Sequence, residues 1–345
     1  MAKQLTAWGC LIMMISHLSH AGQPQHNAVT VLAEAKAHLS ALPDHSIALL
    51  QQTELLDQLP PDQQAQWYFA LLNAARRLAN LDTMHQALQA LVLLQDTPSF
   101  SSRRTEYLNN LGAWFRRHHW LLYARASYQC ALAHASDPLD QLKSRINLAV
   151  IARNFGDYER ARALNLEALE QARQLEQPRL VAAIHNNLGT TALSMGDLPA
   201  ARSAFQQAMD MNQKLIRRAS ELLSGLNLLY TFVQQKDDTP YQRLLPRIKR
   251  MLDQYPNLAR QAYLQWIEAD HDWQDQQTFS KERLQALTRA FHDINDVGIQ
   301  TFLLPVAVAL KLDVSPDVAD ASQLSLTWLN GLTLCQWPDR PAEHP

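Results

Sequence analysis

The chain has 345 residues, of which 47% are hydrophobic and 19% charged, an ordinary globular balance with ample apolar material for a core. A formal net charge of −2 gives no basic excess, so nucleic acid is not an expected partner. Glycines number only nine, and the wealth of Ala, Leu and Gln favours helix throughout.

The first segment, 1–21, has the three-part form of a secretory signal. Lys3 gives a positive start, Leu5 to Ser16 is an apolar run, and Ser19-His20-Ala21 places small residues for a cut after Ala21. The run is shorter than the roughly 20 residues that span a bilayer. An uncleaved anchor or a short amphipathic helix is the alternative. Cys10 lies inside the run, too early for a lipidation site.

Residues 22–60 read as a helical pair, broken at Leu42-Pro43-Asp44 and closed by Pro60-Pro61. From 61 to 255 the sequence repeats. Asn147-Leu148-Ala149 aligns with Asn187-Leu188-Gly189 forty residues on, and Gly156-Asp157 then falls on Gly196-Asp197. A step of 37 back from Leu148 gives Asn110-Leu111-Gly112, and another gives Asn73-Ala74-Ala75. A step of 40 forward gives Asn227-Leu228-Leu229, where Tyr241 weakens the pattern. Each unit reads as two helices. The first carries a small residue where its partner approaches: Ala75, Gly112, Ala149 or Gly189. Gly156 and Gly196 mark turns, because glycine tolerates the left-handed conformation that ends a helix. The second helix has small residues seven apart, such as Ala161 and Ala168 or Ala201 and Ala208, which form one seam. Tyr128 and Phe205 fill between the seams, and Asn165 departs from that rule.

Residues 256–336 predict divergent helices that cap the array. Pro256 to Asp275 forms one helix, Ser280 to Asn295 a second with Ser280 as N-cap, Ile299 to Leu312 a strongly apolar third, and Asp317 to Cys335 the end. Residues 337–345, with three prolines, predict disorder.

Over Trp67 to Leu252 this pattern resembles the tetratricopeptide repeat, a helix–turn–helix with the same small/large alternation. The unit is longer than the 34-residue form and looks like the longer-helix variants of kinesin light chain and bacterial regulators. The resemblance implies an all-α superhelical solenoid, here of about six to seven hairpins. A solenoid keeps distant repeats apart, and a disulfide needs Cα atoms within about 7 Å. Cys130 and Cys335 are therefore expected as buried, inert thiols with no bridge.

Asn73, Asn110, Asn147, Asn187 and Asn227 hold one place in five successive first helices. Asparagine is a mediocre helix former, so five in register ask for a reason. Residues three and seven places on share their face and are largely polar: Arg76 and Asn80, Ala113 and Arg117, Val150 and Asn154, Thr190 and Ser194, Tyr230 and Gln234. The opposite face is core. In tetratricopeptide superhelices the first helices line the concave surface, and the resemblance places this column in that groove. It further implies that a ladder of amides holds an extended peptide by its backbone. Arg76, Arg117 and Lys143 would favour acidic residues, Asn154 would add an amide, and Tyr230 would offer an aromatic surface. The other reading is that these asparagines bridge helices within the stack.

No catalytic, cofactor or metal site is expected. His118-His119 are adjacent and face different ways, His271 stands isolated between Asp270 and Asp272, and neither has a partner at zinc-site spacing. No phosphate loop, nucleophile elbow or H-E-x-x-H occurs. The expected function is an exported adaptor, periplasmic if bacterial and otherwise secreted, that binds a protein or peptide partner in its groove. After signal cleavage no integral membrane segment remains. The alternative is an assembly factor of a secretion, pilus or outer-membrane machine, acting through its outer or C-terminal surface. Nothing in the sequence sets an oligomeric state.

Overall fold

Proline marks where many of the helices start. Pro43, Pro61, Pro98, Pro138, Pro178 and Pro199 stand in first turns, where the missing N–H has no acceptor to lose. The computed structural model describes residues 27–39, 41–275, 278–294, 296–316 and 326–338. The expected signal and residues 339–345 lie outside them. The helices pair as α1 (Ala28–His38) with α2 (Pro43–Leu50), α3 (Pro61–Leu78) with α4 (Leu81–Val92), and, after the short α5 (Pro98–Ser102), α6 (Arg104–Arg117) with α7 (Leu121–His134). There follow α8 (Pro138–Asn154) with α9 (Tyr158–Gln174), α10 (Pro178–Ser194) with α11 (Leu198–Lys214), α12 (Arg218–Gln235) with α13 (Asp238–Gln254), and α14 (Leu258–Gln274) with α15 (Lys281–Asp293). A last helix, α16 (Val297–Ala309), precedes a terminal 3-10 turn (Thr327–Gly331).

The turns within successive hairpins share one device. Ala79, His119, Gly156, Gly196 and Lys236 all have positive φ, just past the ends of α3, α6, α8, α10 and α12. Two are the expected glycines; the others hold the same left-handed conformation at a small cost in strain. Asn80, Asp157 and Asp197 then cap the second helices through their side-chain oxygens. Ser280 caps α15 as expected.

The small residues do the close packing. A Cβ at Gly112 would stand 2.6 Å from the Tyr128 ring, and one at Gly189 would stand 2.6 Å from the Phe205 ring. The residue sixteen places after each small position changes in step with it along the sequence: Ala75 is matched by Leu91, Gly112 by Tyr128, Ala149 by Asn165 and Gly189 by Phe205. Glycine pairs with an aromatic ring and alanine with a smaller side chain, which accounts for Asn165. It is buried and its amide donates to the Ala161 carbonyl at 2.9 Å. In the fifth unit Ile248 occupies the seam, and Gly225, one turn earlier than the expected position, makes room for it.

Successive first helices touch one another (α6 with α8, α8 with α10, α10 with α12), while each second helix packs mainly on first helices. The first helices therefore line the inner side of the curve. Two C-terminal segments fold back onto the array. In one, α16 covers α12, where the Tyr230 hydroxyl donates to the Phe302 carbonyl at 2.8 Å. In the other, residues 326–338 form a strap on α4, α6 and α7. Leu329 and Leu332 are buried there, Gln95 donates to the Gly331 carbonyl at 2.7 Å, and Trp337 stacks on Tyr123.

The strap corrects two expectations. Cys130 and Cys335 form a disulfide with Cα atoms 5.7 Å apart. Counting repeats between them misled, because Cys335 belongs to a segment that leaves the array and returns to α7. Trp337 and Pro338, expected in a disordered tail, are packed, and the Pro338 carbonyl accepts from the Tyr123 hydroxyl at 3.1 Å.

Candidate functional site

The C-terminal ends of α6, α8 and α10 bring Arg116, Arg117, Arg153, Asn154 and Ser194 to one place on the inner side. The start of α16 closes the opposite wall with Asp296, Gly298 and Thr301, leaving a cavity of about 540 Å³. Repeat spacing builds this cluster: Arg153 lies 37 residues after Arg116, Asn154 lies 37 after Arg117, and Ser194 lies 40 after Asn154.

Its electrostatics are one-sided. Arg117 and Arg153 are half-buried. Burial lowers both guanidinium pKa values, and neighbouring Arg116 pushes the same way. Asp296 opposes both shifts, and among the described residues it is the single carboxylate lining the cavity. One of its oxygens is occupied as the cap of α16, accepting the Ile299 N–H at 3.2 Å. Arg153 donates to the Asn154 side-chain oxygen at 3.2 Å. Among the described residues none of the three arginines forms an ion pair. The start of α16 adds the positive end of a helix dipole. Arginine cannot shed its proton, so the cavity holds cations that a carboxylate or phosphate would neutralise.

The asparagine column divides. The Asn73 amide donates to Glu106 of the next first helix at 2.7 Å, Asn147 to Asn109 at 2.8 Å, and Asn227 to Asn186 at 3.3 Å. Asn110 and Asn227 are buried, and Asn110 donates to the Glu106 carbonyl of its own helix at 3.0 Å. Asn187 is half-buried, and its side-chain amide bonds nothing among the described residues. A second polar row carries much of the bridging: Asn109 donates to Ser144 at 3.0 Å, and Asn186 accepts from Ser224 at 3.1 Å. The Asn109-Asn110 and Asn186-Asn187 doublets were its signal in the sequence.

Arg76, though its residue is exposed, lies near enough to Arg117 to help lower that guanidinium's pKa, and Lys143 is exposed and paired with Asp140 at 2.8 Å. Tyr230 offers no aromatic surface: it is 5% exposed, because α16 lies over it, and burial raises its pKa. His271 is not isolated, since its ring stacks on Tyr241 and its Nε2 lies 2.9 Å from an Asp238 oxygen. Among the described residues no helix is long and apolar enough to cross a membrane.

A comparison with curated proteins found no match. The tetratricopeptide repeat family matches residues 140–214, which span α8 to α11. Among solved structures, a Rap protein complexed with competence and sporulation factor aligns at 13% identity and TM-score 0.59, over 82% of this chain and 97% of that one. The apo form of RapI aligns at 14% identity and TM-score 0.52, over 72% and 99%. Aspartyl phosphate phosphatase F from Bacillus subtilis aligns at 10% identity and TM-score 0.51, over 85% and 87%. At these identities the likeness is one of fold. Residues 140–214 are thus tetratricopeptide repeats, in a chain whose fold is an all-α, tetratricopeptide-type solenoid of the kind that mediates contacts between proteins.

Proposed function

We propose that the chain is an exported adaptor that holds an extended, acidic polypeptide segment along its inner surface, and we assign it no catalytic role. One observation carries this reading: three arginines converge on a cavity with a single, already engaged carboxylate. Three half-buried cations that share one carboxylate are under-compensated and costly, and an acidic side chain of a guest would offset that cost with charge-assisted bonds. Asn187, the column member whose side-chain amide bonds nothing among the described residues, and Asn154, seven places after Asn147 on the same face, would bond the guest's backbone. The Rap protein solved with competence and sporulation factor supplies a precedent for a ligand on this fold. Export rests on the Lys3 to Ala21 pattern and draws support from the Cys130–Cys335 bridge, since disulfides persist in oxidising compartments.

A photo-crosslinking residue at Asn154, with Arg162 on the outer helix α9 as control, tests the proposal in the native compartment. An adduct is expected at position 154 and not at 162. The pair Arg117→Met and Arg153→Met should abolish it, since each lost charge-assisted bond is worth about 1.5–3 kcal/mol. Because the pair also removes partly desolvated cations, the variant's melting temperature should not fall. Equal crosslinking at both positions, or an adduct indifferent to the arginine substitutions, overturns the reading.

A further inference from the structure

A second cluster of chemically able side chains lies outside the groove, on the first hairpin. Glu34 and His38 stand four residues apart on α1 and share a face. His45 reaches them from the first turn of α2. Its Nε2 lies 3.2 Å from a Glu34 carboxylate oxygen, and the two imidazole rings meet edge-on with centroids 5.1 Å apart. One donor atom from each of the three side chains lies within 4.8 Å of the other two.

We propose that Glu34, His38 and His45 bind a divalent transition metal of the zinc class. Two imidazoles and a carboxylate are a zinc donor set, and imidazole selects against calcium and magnesium. With bonds of about 2.0–2.2 Å, tetrahedral donors stand about 3.4 Å apart. The Glu34–His45 pair is already at that separation. The third contact closes by rotation of side chains that are only partly buried, with Glu34 and His38 half-buried and His45 exposed. No Lys or Arg pairs with Glu34 among the described residues, so with neutral imidazoles the cluster carries a net negative charge that suits a dication. Three protein ligands leave a fourth position to water. The ligands come from both helices of the first described hairpin, which among the described residues packs only on elements that follow it, so the metal ties α1 to α2.

This inference stands apart from the groove reading. Titration of the full chain, free of any affinity tag, with zinc chloride is expected to give one equivalent bound and a higher melting temperature. His38→Ala or His45→Ala should weaken binding about tenfold or more, while His292→Ala, on α15, should not. Melting in the presence of a chelator checks that the variants fold. A second readout needs no variant: in the wild-type chain, zinc should protect His38 and His45 from carbethoxylation by diethyl pyrocarbonate, as mapped by mass spectrometry. Absence of binding at a large excess of zinc, binding unchanged by His38→Ala and His45→Ala, or equal labelling of both histidines with and without zinc refutes the site.

Discussion

Gly189→Ala tests the packing rule that sets the repeat. In an open helix this change stabilises by about 1 kcal/mol through helix propensity. Here the new Cβ would meet Phe205 ring carbons at 2.6 Å, against an ordinary carbon contact of about 3.5–4.0 Å. The helices must part by about 1 Å, because the Phe205 ring is fully buried and has no open space to swing into. Such overpacking costs about 1–3 kcal/mol, so Gly189→Ala should destabilise by up to about 2 kcal/mol net. Phe205→Leu alone should cost about 1–2 kcal/mol for the cavity it leaves. Combined, the two recreate the alanine-with-small-partner arrangement seen at Ala75 and Leu91, and the double variant should recover about 1–3 kcal/mol relative to additivity. Urea denaturation of the four proteins measures this cycle. Circular dichroism and tryptophan fluorescence must give coincident curves, since repeat arrays can depart from two-state behaviour. A more stable Gly189→Ala, or strictly additive variants, would refute the reasoning.

Cys335→Ser should lower stability. The bridge closes a loop of 205 residues, for which the chain-entropy relation gives an upper limit of about 5 kcal/mol. Non-reducing peptide mapping should show the Cys130 and Cys335 peptides joined; two thiols reactive in the folded, oxidised protein would contradict the strap. Acid should also destabilise. His85 and His118 flank Trp114, and burial, the leading cause for each, lowers both imidazole pKa values. The folded state therefore prefers them neutral. Their contribution is fully present above the unfolded value of about 6.5 and is lost as pH falls through the lowered folded values. Melting temperatures between about pH 8 and pH 5 should drop less steeply for the His85→Asn, His118→Asn double variant than for the wild type, and equal slopes would contradict the assignment.

Much of the candidate site was legible as repeat register and little of it as chemistry. Arg117 and Asn154 emerged because they share the asparagine face. Arg116 and Arg153 keep the same 37-residue register but stand six places after Asn110 and Asn147, off the asparagine face, and the adjacent Arg116-Arg117 pair reads in the sequence as an ordinary solvated face. Asp296 and Thr301 were out of reach: they belong to no repeat, and only the return of α16 sets them opposite the arginines. Tyr230 was misread for the same reason. Its own helix leaves it facing the inner side, and α16 covers it.

The sequence by itself determined the helix–turn–helix unit, its register and its seam. These depend on residues within one hairpin, where 3.6-residue periodicity, left-handed turn positions and the sixteen-residue pairing act locally. Tertiary structure alone decided the strap, the Cys130–Cys335 bridge and the arginine-lined cavity. Each joins segments far apart in the chain through non-periodic contacts, such as Tyr123 with Pro338 or Tyr230 with Phe302. A repeat pattern describes how neighbours stack and carries no information about where a non-repeating end will find apolar surface to bury.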